Sequence, residues 1–358
     1  MDFRKKTVRD IDVAGKTVLV RVDYNVPIKD GQITEDMRIR ASLPTLEYLL
    51  DNGAGKIVVI SHLGRPEGKP AEEFSLAPCA KRLGELLPGK DVRFIGQTVG
   101  DEVKQAIAEL PVGGVVVLEN LRFSPDEEAN SDEFANQIIE ATGAEVFVQD
   151  GFAVIHRAHA STDAIAKKLP AVAGFLVEKE VSNLEGVMTN PEHPLLVIIG
   201  GAKVEDKQPL IDKFLPIADR IVVGGKIAAD GYTSDNEKVY VAKDFEVDED
   251  GNKLDVSMMD AAEIAAMIFK SKTVIWNGTL GMVEDPRFAK ASQMTAMALG
   301  KRKDCFTVIG GGDTAGFVES VMKDNEGLEY NLISTGGGAS LELLSGKKLP
   351  GLEVLQDR

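Results

Sequence analysis

The chain has 358 residues, of which 44% are hydrophobic and 27% are charged, a composition typical of a globular protein with two or three domains. Its formal net charge of -16 disfavours nucleic acid and an anionic membrane surface as partners, and an anionic substrate would need a local cluster of basic residues. The two cysteines, Cys79 and Cys305, lie far apart, which predicts neither a disulfide framework nor a zinc site and fits a reducing cytosol. We expect no signal peptide and no membrane span, and therefore a cytoplasmic protein.

Short β-branched runs alternate with segments of helical spacing in the first half of the chain. Strands are predicted for residues 16–23, 56–64, 91–96, 113–123 and 144–150. Helices are predicted between them for residues 38–53, 75–89 and 131–143, and Ser131 is a favourable residue for starting the last one. Continuous apolar strands that alternate with helices indicate a parallel sheet covered on both faces.

The same pattern restarts in the second half, after a helix-like stretch without predicted strands at residues 167–194. The apolar runs there all end in glycine, and they read PLLVIIGG, DRIVVGGK, KTVIWNGTLG, CFTVIGGGD and NLISTGGGA. We therefore predict an α/β protein with two doubly wound parallel-sheet domains, joined by a hinge helix and with a cleft between them. We predict a first domain at residues 1–170, a linker helix at 171–194 and a second domain at 195–340. The tail at residues 341–358 is predicted to return to the first domain.

The glycines at the strand ends predict a phosphate-binding edge on the second sheet. Ligands of open parallel sheets bind at the carboxyl ends of the strands. Glycine there lets the backbone approach a ligand and leaves the N–H groups of the next helix free for an anion. The alternative is that connections in such sheets simply use glycine for their turns. Because several such loops would meet at one edge, we favour the phosphate-binding interpretation.

Basic side chains follow several predicted strands of the first half. Arg65 and Arg122 each follow a strand, Arg157 lies between two histidines in HRAH, and Arg38 opens a helix after the first strand. Their convergence on one edge favours an anion site, because guanidinium groups suit phosphate and carboxylate. Asp23 and Asn25 belong to the same edge, where the carboxylate either orients a substrate hydroxyl or only orders the arginines.

Several common nucleotide-site signatures are absent. The sequence contains no G-x-x-x-x-G-K-[ST] loop and no G-x-G-x-x-G after the first strand, which argues against a P-loop protein and a dinucleotide oxidoreductase. The motif set of protein kinases is also missing.

The chain resembles the phosphoglycerate kinase family over essentially its whole length. The family's landmarks occur in order as RVDYNVP, TEDMRI, SHLGRP, LENLRF, HRAHAS, GGAKVEDK, WNG, GGGDT and STGGGASLE. The resemblance implies a monomeric glycolytic enzyme that transfers a phosphoryl group reversibly between 1,3-bisphosphoglycerate and ADP, giving 3-phosphoglycerate and ATP. It implies that the first domain binds the phosphoglycerate and that the second binds ADP or ATP with Mg2+. No nucleic-acid or membrane partner is expected.

The resemblance also implies roles for individual residues. Those implied for catalysis are Arg38, Lys203 and Lys207. Those implied for phosphoglycerate binding are Asp23, Asn25, Arg38, His62, Arg65, Arg122 and Arg157. Those implied for nucleotide binding are Lys207, Glu284, Gly311, Gly312, Asp313 and Thr314, with Asp313 holding the magnesium ion.

Two of these assignments have purely structural alternatives. Asp313 would also serve as the cap of the following helix, a role compatible with metal binding. Lys203 and Lys207 are four residues apart, which predicts one shared helix face, and that face could simply be solvated and paired with acidic neighbours.

One departure from the family concerns the stretch after Gly225, which is much shorter than usual. We expect the phosphate-binding residues to remain but adenine recognition to be weak, unless residues 232–247 fold back to close the pocket. The trimmed segment also leaves an alternative function, a non-catalytic relative that senses phosphoglycerate or nucleotide.

Overall fold

The structure is a computed structural model and describes residues 3–358. The chain forms two compact units, one made of residues up to Ser182 together with Lys348–Arg358, and the other of Asn183–Lys347. Among the residues described, no helix is long and apolar enough to cross a membrane.

The first unit contains a six-stranded parallel sheet and a small hairpin made of two strands of two residues each. Its strands are β1 (Thr17–Arg21), β2 (Ile28–Lys29), β3 (Gln32–Ile33), β4 (Lys56–Ile60), β5 (Val92–Ile95), β6 (Gly114–Leu118), β7 (Val146–Gln149) and β8 (Ala171–Ala173). The order in the sheet is β5-β6-β4-β1-β7-β8. The α-helices are α1 (Met37–Asp51), α2 (Ala77–Leu86), α3 (Asp101–Ala108), α4 (Pro125–Glu128) and α5 (Asp132–Thr142), and α6 (Phe175–Thr189) begins in this unit and ends in the second.

Alternation along β1 decides which side chains reach the core. Val18 and Val20 belong to one apolar cluster with Leu46 of α1 and Leu83 of α2. Because successive side chains of a strand point to opposite faces, Arg21 projects to the other side of the sheet. A charged residue is therefore buried at the end of the central strand.

The prediction that residues 167–194 contain no strand is wrong near the start of this stretch, because β8 lies there and pairs with β7. The strand has only three residues, too few to give a periodic signal. The predicted helix at residues 131–143 is found as α5, where the Ser131 side chain accepts a hydrogen bond from the Phe134 N–H at 3.3 Å.

The second unit contains a second six-stranded parallel sheet, in the order β11-β10-β9-β14-β15-β16, and a separate antiparallel pair. Its strands are β9 (Leu195–Ile199), β10 (Arg220–Val223), β11 (Val239–Val241), β12 (Phe245–Val247), β13 (Lys253–Val256), β14 (Thr273–Asn277), β15 (Phe306–Gly310) and β16 (Leu332–Ile333). Its helices are α7 (Val204–Phe214), α8 (Gly225–Ala229), α9 (Met258–Lys270), α10 (Lys290–Gly300), α11 (Gly312–Asp324) and α12 (Gly337–Leu344). The expectation of two parallel-sheet α/β units is confirmed.

The segment after Gly225 is built from the short helix α8, the edge strand β11 and the β12–β13 hairpin. Strand β13 is attached to the loop after β14, because the Val256 N–H donates to the Leu280 carbonyl at 3.2 Å and the Met282 N–H donates to the Leu254 carbonyl at 2.9 Å. The hairpin therefore packs beside a loop at the carboxyl edge of this sheet.

The end of the chain packs on the first unit through α13 (Pro350–Glu353) and the residues after it. The Gly351 N–H donates to the Ile155 carbonyl at 2.8 Å, and the Gln356 N–H donates to the Ala171 carbonyl at 3.0 Å.

Candidate active site

Asp23 and Arg38 form a charged pair at the carboxyl edge of the first sheet. Asp23 follows β1 and is buried, and Arg38 lies in the first turn of α1. The Arg38 Nη1 donates to Asp23 Oδ2 at 2.6 Å, and the Asn25 N–H donates to Asp23 Oδ1 at 3.0 Å. Both carboxylate oxygens are thus engaged within the protein, which favours the interpretation that Asp23 orders the arginine.

The loop after β4, which carries His62 and Arg65, is held on both sides of Gly64. The Gly64 N–H donates to Asn25 Oδ1 at 2.8 Å, and Arg122 Nη1 donates to the Gly64 carbonyl at 2.9 Å. Gly64 has φ +63, and a Cβ there would lie 2.3 Å from the Phe74 ring. A larger residue would therefore clash with the Phe74 ring and strain the backbone of the loop.

His62 is surrounded by cations. Burial lowers the pKa of His62 well below its usual value, and the positive charges of Arg21, Arg122 and Arg38 lower it further. Burial and the positive charge of Arg157 likewise lower the pKa of Arg122. Four of these side chains, Arg38, His62, Arg122 and Arg157, are called the basic cluster below.

Two predicted binding residues, Arg65 and Arg157, are exposed at this edge. The Arg157 Nε lies 3.2 Å from the His156 Nε2. Arg65 makes no hydrogen bond or ion pair with any other residue in the part of the chain that the structure describes. The basic cluster is therefore assembled without Arg65, whose guanidinium is available to a ligand.

Sequence reasoning missed Arg21 and Glu127, which lie beneath the cluster. Arg21 is 1% exposed and Glu127 is 0% exposed. The signal for Arg21 was an arginine inside the otherwise apolar run TVLVRV, since an unpaired buried charge is costly. Glu127 stands in the acidic run PDEE, where nothing in the sequence distinguishes a buried carboxylate from exposed ones.

Glycines at the carboxyl edge of the second sheet form a continuous surface of backbone. We call Gly200, Gly201, Gly278 and Gly311 the glycine rim. A Cβ on Gly200 would lie 2.2 Å from the Thr279 carbonyl oxygen, and one on Gly278 would lie 2.2 Å from the Gly200 carbonyl oxygen. Gly201, Gly278 and Gly311 have φ values of +92, +94 and +92, which side chains rarely adopt. Close packing at Gly200 and Gly278, and the backbone conformation at Gly201 and Gly311, thus require glycine whether or not a ligand binds.

Lys207 and Asn277 lie beside the glycine rim. The Lys207 Nζ donates a hydrogen bond to Asn277 Oδ1, and Asn277 ends β14 fully buried. Burial lowers the pKa of Lys207, whereas the negative charges of Asp206 and Asp313 raise it. A lysine ammonium is therefore held in place close to Asp313, at the start of α11.

The other predicted nucleotide-binding residues occupy different environments. Gly312 and Asp313 form the exposed start of α11, and the buried Thr314 accepts a hydrogen bond from the Gly278 N–H at 2.9 Å. Glu284 is exposed on the loop after β14. Lys203 is exposed and precedes the first helical residue of α7, so the prediction that it shares a helix face with Lys207 is wrong. The glycines before it end the strand, and the helix begins one residue too late to include it.

Each unit is thus a parallel α/β sheet whose carboxyl edge suits an anion, through basic side chains in the first and backbone N–H groups with Lys207 in the second. This combination is typical of α/β proteins that bind phosphorylated small molecules.

Comparison with known proteins identifies the family. The phosphoglycerate kinase family model matches residues 8–233 and 229–347. The structure of phosphoglycerate kinase from Coxiella burnetii is 30% identical, with a TM-score of 0.78 and 98% of each chain covered. That of phosphoglycerate kinase from Pyrococcus horikoshii OT3 is 28% identical, with a TM-score of 0.84 and 98% of each chain covered. The chain belongs to the phosphoglycerate kinase family, which confirms the resemblance found in the sequence and the expectation of a phosphotransferase.

Proposed function

We propose that the protein is an active phosphoglycerate kinase that transfers a phosphoryl group reversibly between 1,3-bisphosphoglycerate and ADP. The observation that carries this proposal is the presence of a fixed cation at each phosphate-binding edge. Arg38 is held by Asp23 in the first unit, and Lys207 is held by Asn277 in the second. No feature of residues 3–358 favours the alternative of a non-catalytic sensing relative.

The reaction needs no nucleophile from the protein. A β-phosphate oxygen of ADP attacks the phosphorus of the acyl phosphate, a P–O bond to that oxygen forms, and the bond to the acyl oxygen breaks to release the 3-phosphoglycerate carboxylate. Catalysis of such a transfer rests on positioning and on neutralising the charge of the transferred group. We assign that neutralisation to Arg38, Lys203 and Lys207. We assign binding of the phosphoglycerate to the rest of the basic cluster with Asp23, Asn25 and Arg65.

Asp313 fits a magnesium ion that is shared with the nucleotide. Its carboxylate is exposed in the first turn of α11 and close enough to act on the pKa of Lys207. Residues 3–358 contain no group of three or more His, Cys, Asp or Glu that could hold a metal alone. Magnesium is usually bound by one or two carboxylates plus substrate phosphates, so a single carboxylate suits it. When bound, the ion would neutralise charge on the nucleotide phosphates.

The magnesium assignment is tested by calorimetric titration of ADP with and without Mg2+. Tighter binding with Mg2+ in the wild type, lost in Asp313→Asn, supports the assignment. An undiminished Mg2+ effect in the variant contradicts it. Glu326→Gln, an exposed substitution after the end of α11, is the control.

The function itself is tested by a coupled assay of ATP-dependent phosphorylation of 3-phosphoglycerate. Turnover by the wild type that is lost in Lys207→Met supports an active kinase. Tight binding of both ligands without any turnover would contradict it. Lys213→Met, in the last turn of the same helix, is the matched control and should retain activity.

Gly312 gives a second test of nucleotide binding. A Cβ at Gly312 would meet nothing within 4 Å, and the same is true of Gly316, one turn further along α11. Alanine at either position should therefore raise the free energy of unfolding by about 0.5–1 kcal/mol. Only Gly312→Ala should also raise the KM for ATP, because its added methyl group would lie at the helix start, to whose backbone N–H groups we assign the nucleotide phosphates. Equal KM values for the two variants would remove Gly312 from the site.

Three further expectations belong to this proposal. The enzyme is a monomer, its partners are the two small-molecule substrates, and its compartment is the cytoplasm. Analytical ultracentrifugation with and without both substrates tests the first of these, and a sedimenting dimer would contradict it.

A further inference from the structure

Glu127 lies at the start of a hydrogen-bonded chain that leads to the basic cluster. It is the third residue of α4 and is fully buried. Its carboxylate accepts the Ser161 N–H at 3.0 Å and the Ser161 hydroxyl at 2.5 Å. Ser161 is itself 0% exposed, so both groups depend on each other for hydrogen bonding.

The hydroxyl of Ser161 also accepts a hydrogen bond from Arg21 and so orients its guanidinium. Because its single proton is donated to Glu127, its oxygen lone pairs accept, and the Arg21 Nε donates to them at 2.7 Å. The Arg21 Nη1 also donates to the Val22 carbonyl. The plane of the guanidinium is thereby fixed from two sides.

Arg21 in turn determines the state of His62. The Arg21 Nη2 lies 3.3 Å from the His62 Nδ1. Because a guanidinium only donates, this Nδ1 accepts, which makes His62 a neutral ring with its proton on Nε2. The Asp23 Oδ1 lies 3.8 Å from the same nitrogen, too far for a hydrogen bond that would place a proton there.

The charges around His62 act in the same direction. The positive groups that face it are Arg21 from β1, Arg38 from α1, Arg122 from the loop after β6, and His159 when that residue is protonated. Burial and the neighbouring arginines lower the pKa of His159 to about 4, so it is neutral at neutral pH. The acidic group that faces the ring is Asp23, whose Oδ1 lies 3.8 Å from the His62 Nδ1.

We propose that Glu127 is a positioning residue for phosphoglycerate binding, which acts through Ser161 and Arg21 to keep His62 as a neutral Nε2–H donor to the bound anion. The inference rests on the proposed function for the identity of the anion. The state of His62 does not depend on that identity, because the contacts that fix it lie within the protein.

The first experiment reads the tautomer of His62 by NMR of the full-length protein with 15N-labelled histidine and no ligand. The four histidines are distinguished by a His62→Gln variant. The wild type should show His62 as the neutral Nε2–H form from pH 5.5 to 8. A proton on Nδ1, or an imidazolium in this range, would overturn the proposal whatever the kinase assay gives.

The second experiment compares Glu127→Gln with Asp126→Asn, a neighbouring exposed acid on the same short helix. Glu127→Gln should raise the KM for 3-phosphoglycerate at least tenfold, leave the KM for ATP within twofold, and let His62 titrate. Asp126→Asn should match the wild type. Unchanged KM values, or an equal rise in both, would reduce Glu127 to a purely structural role and refute the positioning.

A double-substitution cycle separates positioning through His62 from any other effect of Glu127. Glutamine at position 62 offers a carbonyl oxygen to Arg21 and an N–H to the substrate, and it has no second tautomer. In the His62→Gln background, Glu127→Gln should therefore raise the KM for 3-phosphoglycerate by less than threefold. A full tenfold rise in that background would show that Glu127 does not act through His62.

Discussion

Replacing Asp150 by asparagine should make the stability of the protein less dependent on pH. Asp150 follows β7 and is fully buried, and its Oδ1 accepts the Leu176 N–H of α6 at 2.9 Å. A Cβ at Gly174 would lie 2.1 Å from this oxygen, so the chain passes too close for any other residue. Burial raises the pKa of Asp150 from 3.8 to about 7, against the opposing effect of hydrogen bonds from Thr45, Leu176 and Val177.

The direction in which the free energy of unfolding changes with pH follows from proton binding to Asp150. Between pH 4 and 7 the folded protein holds a proton on Asp150 that the unfolded chain releases, so the free energy of unfolding falls as the pH rises through this window. With a folded pKa of about 7, the loss between pH 5 and pH 8 is about 2.5 kcal/mol. Asparagine does not ionise and avoids this loss.

The assay is urea unfolding of the wild type and Asp150→Asn at pH 5, 6, 7 and 8. Other titrating groups cancel in the difference, which should shift by about 2.5 kcal/mol in favour of the variant from pH 5 to 8. Trp276, the single tryptophan, lies in the second unit, so its fluorescence follows that unit while circular dichroism follows both. Asp235→Asn, an exposed substitution, is the control. A difference that stays constant with pH would refute the reasoning.

Three further predictions concern the candidate site. Arg38→Ala should lower kcat by at least about a hundredfold, because it removes a charge assigned to the transferred group, whereas Arg40→Ala on the same helix should not; near-equal kcat values would remove Arg38 from catalysis. Arg122→Ala and Arg65→Ala should both raise the KM for 3-phosphoglycerate, but only Arg122→Ala should lower the Tm, because it alone loses a hydrogen bond to the loop after β4. ATP should exceed GTP and ITP in kcat/KM by only about fivefold, or about 1 kcal/mol, since the short segment after Gly225 offers few contacts to the base; a preference above about a hundredfold would show that residues 232–247 close the pocket.

The parts of the fold that could be predicted are those specified by local pattern. All strands of the two six-stranded sheets except β8 and β11, and the helix α5, follow from continuous apolar runs and from one capping serine, which are properties of a few neighbouring residues. Strand β8 could not be found in this way, because its three residues become a strand only by pairing with β7. The β12–β13 hairpin likewise depends on its attachment to the loop after β14.

The residues of the candidate site also differ in whether a local pattern predicts them. Arg38, Arg65 and Arg122 were predicted from their positions after strands, because parallel strands deliver such residues to one edge whatever else the protein does, whereas His62 was implied only by the family resemblance. Arg21 and Glu127 act through Ser161, which lies 140 residues from Arg21 and 34 residues from Glu127 in the chain. No pattern in a single sequence brings such residues together. The place of Lys203 before α7 was missed because a four-residue spacing predicts a shared face only if the helix includes both ends.

The two units solve the same electrostatic problem in different ways. The chain carries a net charge of -16, so its overall field repels phosphorylated ligands, and any attraction must be local. The first sheet supplies it with arginines, which repel one another unless acids lie beneath them, and Asp23 and Glu127 are buried there. In the second sheet we assign the attraction to backbone N–H groups, which carry no net charge, together with one lysine, Lys207. Buried acids are therefore expected beneath the basic cluster, in agreement with the buried positions of Asp23 and Glu127 in the first unit.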